Sequence, residues 1–492
     1  MKKKILFWIT LDLTQFCIAY NLQKNNDYDL YAIIDVPDNA QKFFEVQKLV
    51  KFEKVWFFHD NIKKQFNPDL KYLEQVEKKY EINLWKLAIN ERIFYRFFDF
   101  HKFQKNEVLS ILEQSCRLFE HVLKIKPDYA ISKDPGFHHL EIFKHMCEKN
   151  GTQFLIPFVP KIGYKTMISN DPNNINSKNT ISPERKNRNF NELRKVIESR
   201  DTRKQVKTST DNLAKSRTGF IKSATKFLLS SNKSEENRYT YYGRTKSKVI
   251  SFMLKLVFEE RSRKKFIDDN LERKPEKTGP VIYFPMGVDL ERNILIGAPY
   301  FTNQIEIIRA VAKSIPINYE LWVKENPAQS TRSWRSISDY KKIMDLPNVK
   351  MIHPDVSNKK MFEESSLVVN IGGSSGLEAL FYEKPTIVFS DTIYSKLSCV
   401  FRVTELEKLP EIIKNSLDCR VDEKEIDEFL TLIEDNSFEF DWFGFNTLQA
   451  KAFFYDGHLI DSEINENVMK EFLEKNFHTI DQISSEFIKN MK

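Results

Sequence analysis

The sequence predicts an α/β protein in which two parallel β-sheets form two lobes. Short apolar runs alternate with longer helical patterns up to about residue 170, and this alternation returns at residue 280. Strands separated by helices favour right-handed β-α-β units, whose strands lie parallel in one sheet. The chain has 492 residues, whereas an ordinary domain has about 150, so more than one unit is expected.

The first lobe, residues 1–170, is predicted to be Rossmann-like. The amphipathic segment NEVLSILEQSCRLFEHVL repeats apolar residues every three or four positions and predicts a helix that ends before Pro127. The apolar run near the N-terminus is shorter than the ~7–15 residues of a signal-peptide core, so we interpret it as a strand. The predicted strands are ILFWI (5–9), LYAIID (30–35), KVWFFH (54–59), YAIS (129–132) and QFLIP (153–157).

The middle region, residues 171–279, is predicted to be a polar linker followed by a basic helical insertion. Lys and Arg concentrate between about residues 185 and 277. The segment GFIKSATKFLLS places Phe220, Ala224 and Leu228 on one helical face and Lys222 and Lys226 elsewhere. This pattern is consistent with peripheral contact with an anionic membrane, although packing of such a helix onto the lobes is the alternative.

The second lobe, residues 280–420, repeats the strand and helix alternation, and residues 421–492 are predicted helices that pack back across the lobes. The segment NQIEIIRAVAKSI (303–315) is a predicted helix. The predicted strands are PVIYFPM (280–286), YELWVKENP (319–327), NVKMIHP (348–354), SLVVNI (366–371) and TIVFS (386–390).

Composition excludes several classes of protein. With 41% hydrophobic and 29% charged residues, the chain is globular rather than disordered. The five cysteines are widely spaced and form no C-x-x-C pair, which argues against a disulfide framework or a zinc site. The longest apolar run, VISFMLKLVF, is interrupted by Lys255 and falls short of the ~18 residues that span a bilayer. We therefore expect a cytoplasmic protein, located at the inner face of the membrane if it contacts one, with no nucleic-acid partner.

A glycine- and serine-rich turn follows the predicted strand SLVVNI. Gly372, Gly373, Ser374 and Ser375 precede the short helical pattern GLEALFYE. Glycines at such a turn permit positive φ and close approach of a ligand to the backbone. The N–H groups that begin a helix, together with serine hydroxyls, suit a phosphate.

A local structural interpretation competes with the phosphate site. Ser375 and Glu378 have capping-box spacing, in which Ser375 would cap the helix and Glu378 would bond back to the N-terminus. The turn has neither the Walker nor the dinucleotide-binding pattern. The local sequence leaves both interpretations open.

The order of motifs in the second lobe gives a more specific indication. YFPMGVDLERN, APYFTNQIEIIRAVAKSIP, YELWVKENPAQ, NVKMIHPD, VVNIGGSSGLEALFYEKPTIVF and VFRV follow one another. This series resembles the capsule polysaccharide biosynthesis family, glycosyltransferases of the two-lobed GT-B type related to transferases of the CMP-Kdo kind. The resemblance covers about residues 280–405, and the first lobe resembles the family only in general pattern.

The resemblance carries over to particular positions, with two departures. The family pattern F-P-L-H-x-x-P-E is similar to the segment from Phe284 to Glu291, but Gly287 stands where histidine is usual. The pattern K-E-H-P is similar to residues 324–327, where Asn326 replaces histidine; an amide forms hydrogen bonds but carries no proton. The residues implied in donor binding are Glu291, Lys324, Glu325, Asn326, Pro327, Gly373, Ser374, Ser375 and Glu378.

The resemblance implies a nucleotide-sugar donor in the second lobe and a glycan or lipid-linked glycan acceptor in the first, with neither a metal nor another cofactor. Transfer usually needs a base near the acceptor hydroxyl. Loops that follow first-lobe strands offer Asp12, the leading candidate, and also Asp134 and His138. Asp35, Asp38 and His139 lie in similar loops, where turn or surface roles are the alternative.

The sequence therefore predicts a glycosyltransferase that moves a sugar from a nucleotide-sugar donor onto a surface or capsular polysaccharide or a glycolipid. In the family's relatives the donor is CMP-activated. A CDP-polyol phosphotransferase, a nonhydrolysing sugar epimerase and an inactive nucleotide-binding scaffold of the same fold are the alternatives.

Overall fold

A computed structural model describes residues 2–25, 27–95, 100–173, 175, 186–199, 222, 225–228 and 238–491. Two β-sheets, each covered on both faces, form two lobes. The strands in the described residues are β1 (Lys3–Ile9), β2 (Tyr28–Ile34), β3 (Lys54–Phe57), β4 (Tyr129–Ile131), β5 (Gln153–Phe158), β6 (Lys165–Ser169), β7 (Val281–Pro285), β8 (Glu320–Lys324), β9 (Val349–Ile352), β10 (Ser365–Asn370), β11 (Thr386–Val388), β12 (Val400–Arg402) and β13 (Phe438–Glu439).

Helices follow most of these strands, as expected for parallel sheets. Their bounds are α1 (Thr14–Leu22), α2 (Asp38–Val46), α3 (Leu70–Tyr80), α4 (Leu84–Asn90), α5 (Arg92–Tyr95), α6 (Lys105–Leu123), α7 (His138–Lys149), α8 (Phe190–Glu198), α9 (Lys246–Asn270), α10 (Arg292–Leu295), α11 (Gln304–Ser314), α12 (Ile337–Met344), α13 (Asn358–Glu364), α14 (Ser374–Leu380), α15 (Leu409–Leu417), α16 (Glu423–Asp435), α17 (Trp442–Phe453), α18 (Glu466–Lys475) and α19 (Phe477–Asn490).

The first sheet has the strand order β13-β6-β5-β4-β1-β2-β3. Strands β3, β2, β1, β4 and β5 are parallel, β6 is antiparallel to β5, and β13 is antiparallel to β6. All five predicted strands form; β6 and β13 add an edge that the sequence pattern does not predict. In β1, Phe7 and Ile9 face one core while Leu6 and Trp8 face the other, so both sides of the sheet are buried.

The second sheet is parallel throughout, in the order β12-β11-β10-β7-β8-β9. This is the order of a doubly wound sheet, in which the chain leaves β7 in one direction and β10 in the other. The predicted α/β class with two Rossmann-like lobes of GT-B architecture is confirmed.

The described part of the middle region packs on both lobes. In α8, Leu193 is buried in the second lobe, and Arg188 before it pairs with Asp427 (2.6 Å). Tyr239 and Tyr242 are buried in the first lobe, whereas Ile267 near the end of α9 is buried in the second. The predicted membrane-facing segment around Phe220 lies largely outside the described residues.

The C-terminal residues also contact both lobes. Helix α16 contributes Ile426 and Leu430 to the second-lobe core. The following segment returns to the first lobe, where α17 and α19 bury Phe453 and Phe487. Within the described residues, no helix has both the length and the apolar character needed to cross a membrane.

Candidate functional site

A cleft between the lobes is walled by loops from both sheets. Loops after β4 and β5 form one side, and loops after β7, β10 and β11 form the other. It encloses ≈ 610 Å³ of empty space, part of it open to solvent. In the second lobe, this position lies beyond the carboxyl ends of β7 and β10, at the point where open parallel sheets bind their ligands.

The glycines of the turn after β10 serve close packing rather than an unusual backbone conformation. A Cβ at Gly372 would lie 1.9 Å from Ser390 Oγ, and one at Gly376 would lie 2.5 Å from Tyr394 Oη. None of the three glycines has positive φ, so the turn does not use the left-handed conformation that glycine permits. At Gly373 a Cβ would meet nothing nearer than 3.9 Å, and this residue lines the cleft.

The predicted capping box is also wrong. The helix begins one residue earlier, at Ser374, and Gly373 is its N-cap with no side-chain cap hydrogen bond. Ser374 Oγ donates to Glu378 Oε1 (3.1 Å), one helical turn away. Ser374 lines the cleft, whereas Ser375 is partly exposed outside the lining.

Hydrogen bonds to neighbouring side chains fix the turn. The Gly373 N–H donates to Asn370 Oδ1 (2.7 Å), and Tyr394 Oη donates to the Gly373 carbonyl (2.6 Å). Asn370 and Tyr394 are buried. The backbone at Gly373 and Ser374 is therefore held rigidly at the cleft wall, as preorganised binding requires.

Across the cleft, Asp134 follows β4 and faces Arg292 of α10. The Arg292 Nε to Asp134 Oδ1 distance is 3.3 Å. Desolvation raises the pKa of Asp134, and the positive charge of Arg292 opposes that rise. A carboxyl with a raised pKa at a cleft wall has the properties of a general base.

Glu291 precedes Arg292 and lies in a basic environment. The pKa of Glu291 is raised by desolvation, and the charges of Lys161, Arg332 and Arg92 only partly oppose that rise. Lys161 and Arg292 line the cleft directly. Cationic groups from both lobes thus converge where a negatively charged ligand would lie.

The residues at the end of β8 and directly after it are bonded within the second lobe and do not line the cleft. Lys324 is buried and its Nζ donates to Asn358 Oδ1 (2.5 Å). Asn326 caps the following turn, its Oδ1 accepting from the Ala328 N–H (3.0 Å), and Pro327 begins that turn.

Glu325 is completely buried and forms a hydrogen-bonded network. Its Oε2 accepts from Arg335 Nε and from Tyr340 Oη, each at 2.8 Å. Arg335 also donates to the carbonyl of Gly287 (2.5 Å). Gly287 in turn exchanges hydrogen bonds with Gln304. The two departures from the family pattern, Gly287 and Asn326, thus lie in the framework that supports the loop after β7.

Asp12 follows β1 but is not brought together with Asp134. Its Oδ1 accepts from Thr14 Oγ1 (2.6 Å) in a local turn at the start of α1. The neighbouring Leu13 N–H donates to Gln449 of α17 (2.8 Å). Asp12 therefore lies beside the C-terminal helices, outside the lining of the cleft.

His138 lies in a smaller cavity between the lobes, together with Glu91 and Leu295. Glu91 Oε2 accepts from the backbone N–H of His138 (2.7 Å) and contacts its Nδ1 (2.8 Å). Burial opposes ionisation of Glu91, but the hydrogen bonds from His138 prevail and lower the pKa of Glu91. This carboxylate orients the imidazole.

Sequence reasoning missed several residues of the cleft: Lys161, Arg292, and the segment from Ser390 to Tyr394. The rule that led to Asp134, namely that ligands lie beyond the carboxyl ends of strands, applies equally to the loops after β5 and β11. Arg292 is adjacent to the predicted Glu291. Among the described residues, no cluster of three or more His, Cys, Asp or Glu could hold a metal ion.

A comparison with solved structures matches this chain to several proteins, each at low identity and a low TM-score. The UDP-GlcNAc 2-epimerase of Methanocaldococcus jannaschii is 13% identical, with 88% of this chain and 99% of that chain covered and a TM-score of 0.26. The KpsC beta Kdo 2,7 transferase of Thermosulfurimonas dismutans is 11% identical, with 72% and 88% covered and a TM-score of 0.31. The N-terminal domain of the trehalose-6-phosphate phosphatase of Candida albicans is 11% identical, with 93% and 97% covered and a TM-score of 0.31.

Among curated proteins, no sequence matches this one. A family model described as capsule polysaccharide biosynthesis protein matches residues 167–398. The match includes the middle region, in which the motif series shows no resemblance. The predicted resemblance to the capsule polysaccharide biosynthesis family is therefore confirmed, and residues 167–398 carry it.

Proposed function

We propose that the protein is a glycosyltransferase that moves a sugar from a nucleotide-sugar donor onto a surface or capsular polysaccharide or a glycolipid. The observation that carries the proposal is the cleft in which the turn at Gly373 and Ser374 faces Asp134 of the other lobe. Donor and acceptor must meet between two such walls. The family match supports the same class of activity.

The donor side is built to hold negative charge. Ser374 supplies a hydroxyl and Gly373 an unobstructed backbone, while Arg292 and Lys161 add positive charge to the cleft. Such groups stabilise the phosphate that departs during sugar transfer. Ser374 Oγ would exchange its hydrogen bond to Glu378 for one to the phosphate, so little is lost when the ligand binds.

The acceptor side offers Asp134 as the base. The raised pKa of Asp134 is closer to neutral pH than that of an ordinary aspartate. Its position opposite the turn suits removal of a proton from an acceptor hydroxyl. Asp12 and His138 are the other candidates, but neither lines this cleft. A glycan or lipid-linked glycan acceptor, and a place at the inner face of the membrane, complete the proposal.

A thermal-shift comparison of CMP, UDP and their sugar conjugates tests donor binding, because a ligand that binds the native state raises the unfolding temperature. Ser374→Ala should weaken binding of the stabilising nucleotide sugar by about 1–3 kcal/mol through an unmet phosphate contact. Ser375→Ala is the matched control and should bind as the wild type does. Equal effects of the two substitutions, or no stabilising nucleotide, would contradict the assigned site.

An inactive nucleotide-binding scaffold is the second candidate, favoured by Gly287 and Asn326, whose groups serve local structure. Binding of a nucleotide sugar without turnover, and without rescue by Asn326→His, would support the scaffold. Mass analysis of the products separates sugar transfer from epimerisation and from transfer of a polyol phosphate.

A further inference from the structure

Helix α9 presents an exposed apolar stripe. The stripe consists of Ile250, Met253, Leu254, Val257 and Phe258, all of which are exposed. Their spacing of three and four residues places them on one helical face. Contiguous exposed apolar surface of this kind marks an interaction site more often than scattered single residues do.

The opposite face of α9 joins the lobes. Near the start of the helix, the ring of Phe252 packs against Phe100 of the first lobe at 5.2 Å between centroids. Near its end, Arg263 Nη1 donates to the carbonyls of Ser333 and Trp334 in the second lobe, each at 3.0 Å. The inward face therefore fixes the helix, and the stripe points away from both lobes.

The charge around the stripe is positive. On the outward side Lys246 precedes the stripe and the acidic Glu260 follows it. Lys248 and Lys255 fall on the Phe252 side of the helix, where Lys255 Nζ pairs with Glu259 Oε1 (3.7 Å). Farther along the outward face of α9, Arg261 and Lys264 are exposed. Apolar side chains with basic residues beside them match the surface of a membrane that contains anionic lipid.

The segments that hold α9 adjoin residues that join the two lobes. Phe100, against which α9 packs, follows α5, and Arg92 of α5 donates across the lobes to the carbonyl of Leu290. The second-lobe residues that hold Arg263 follow Arg332, whose charge acts on Glu291.

We propose that the stripe of α9 docks the protein on an anionic membrane surface, with the apolar side chains inserted among the headgroups and Arg261 and Lys264 against lipid phosphates. Delivery of a lipid-linked acceptor to the cleft by this contact rests on the proposed function. Membrane binding itself does not.

Cosedimentation with phosphatidylglycerol–phosphatidylcholine vesicles tests the proposal. The wild-type protein should bind these vesicles and bind phosphatidylcholine vesicles much more weakly, and added salt should reduce binding. Leu254→Glu/Phe258→Glu should weaken binding by roughly tenfold or more, because two apolar side chains are replaced by charges that lipid phosphates repel.

Val46→Glu/Leu70→Glu is the matched control. Val46 and Leu70 are 68% and 59% exposed on other helices, against 69% and 58% for Phe258 and Leu254. The control should bind vesicles as the wild type does. Arg261→Ala/Lys264→Ala keeps the stripe and should reduce both the affinity and its dependence on salt.

Two results would overturn the proposal. One is equal vesicle binding by the stripe variant and its matched control. The other is a wild-type dimer in sedimentation velocity that becomes monomeric in the stripe variant, since a second copy would then cover the stripe. Nucleotide-induced thermal shifts measured without vesicles report on the cleft separately, so failure of the proposed function is distinguishable from failure of membrane docking.

Discussion

At the scale of single residues, the ion pair with Arg292 helps to set the protonation state of Asp134 in the cleft. Desolvation favours the neutral carboxylic acid, and the guanidinium 3.3 Å away favours the carboxylate. The two effects oppose each other, which leaves the pKa of Asp134 raised. A base with such a pKa loses activity at a less acidic pH than an ordinary aspartate would.

Replacement of Arg292 by Met should therefore move the acidic limb of the pH–activity profile to higher pH. Without the positive charge, the pKa of Asp134 rises further, and a larger fraction of the base is protonated at a given pH. The profile of kcat against pH, at saturating donor, measures the shift. Arg402→Met is the matched control, because Arg402 pairs with Asp391 of the same cleft at 3.0 Å without contacting Asp134. An unmoved limb in Arg292→Met would exclude Asp134 as the base.

The sequence could locate Asp134 but could not separate it from Asp12. Both follow first-lobe strands, and the sequence pattern gives no distances between loops. The distinction comes from partners far along the chain: Asp12 lies beside α17, and Asp134 meets Arg292 of the other lobe. Such pairings depend on the tertiary fold.

At the scale of elements, β10, its turn and α14 form a unit whose tight packing depends on Gly376. Its missing side chain makes room for Asn370 and Tyr394, and Tyr394 in turn bonds the Gly373 carbonyl. The glycine pattern correctly indicates a special turn, but its cause is the close approach of side chains rather than positive φ.

Gly376→Ala should lower the free energy of unfolding by about 1–3 kcal/mol, as overpacking does. Alanine itself favours a helix by about 1 kcal/mol, so the clash must exceed that gain. Gly373→Ala, where the added methyl meets nothing within 3.9 Å and φ is −84°, should leave stability within about 0.5 kcal/mol. Chemical denaturation measures both. A Gly376→Ala protein as stable as Gly373→Ala would show that the packing is loose.

The central strands were predictable and the edges were not. Strands β1, β2, β7 and β10 are continuous apolar runs because both faces of a parallel sheet are buried. Strand β13 has two residues, and β6 pairs with it at the sheet edge, so tertiary pairing rather than local pattern defines them. The motif after β8 likewise gives the identity of Glu325 but not its partner Arg335, ten residues later.

At the scale of the whole molecule, the first lobe buries a cluster of titratable groups drawn from separate segments. Asp35 follows β2, His59 follows β3, His139 lies in α7, and Tyr239 comes from the middle region. Asp35 contacts His59 Nε2 (3.0 Å) and His139 Nε2 (3.2 Å), and His139 Nδ1 contacts Tyr239 Oη (3.2 Å). The cluster ties the middle region to the carboxyl ends of the first-lobe strands.

This cluster makes the fold sensitive to acid. Desolvation lowers the pKa of His139 below its ordinary value of 6.5, although Asp35 opposes this shift. Desolvation also opposes ionisation of Asp35, but the hydrogen bonds from His139 and His59 prevail and hold its pKa well below 3.8. Both groups have lowered pKa values in the folded state, so their contributions to stability are present at higher pH and are lost as pH falls.

The unfolding free energy should accordingly fall as pH drops below 6.5, where the unfolded chain protonates His139 first. The slope from one such group is at most about 1.4 kcal/mol per pH unit. His139→Gln keeps an amide that can bond Asp35 and Tyr239 but removes the titratable imidazole. Between neutrality and pH 5 the denaturation midpoint should therefore depend less steeply on pH, and the number of protons taken up on unfolding should fall by about one. His478→Gln, at an exposed position of α19, is the control and should keep the wild-type slope. An unchanged slope in His139→Gln would mean that other groups, such as His145 with its own lowered pKa, govern the acid sensitivity of the molecule.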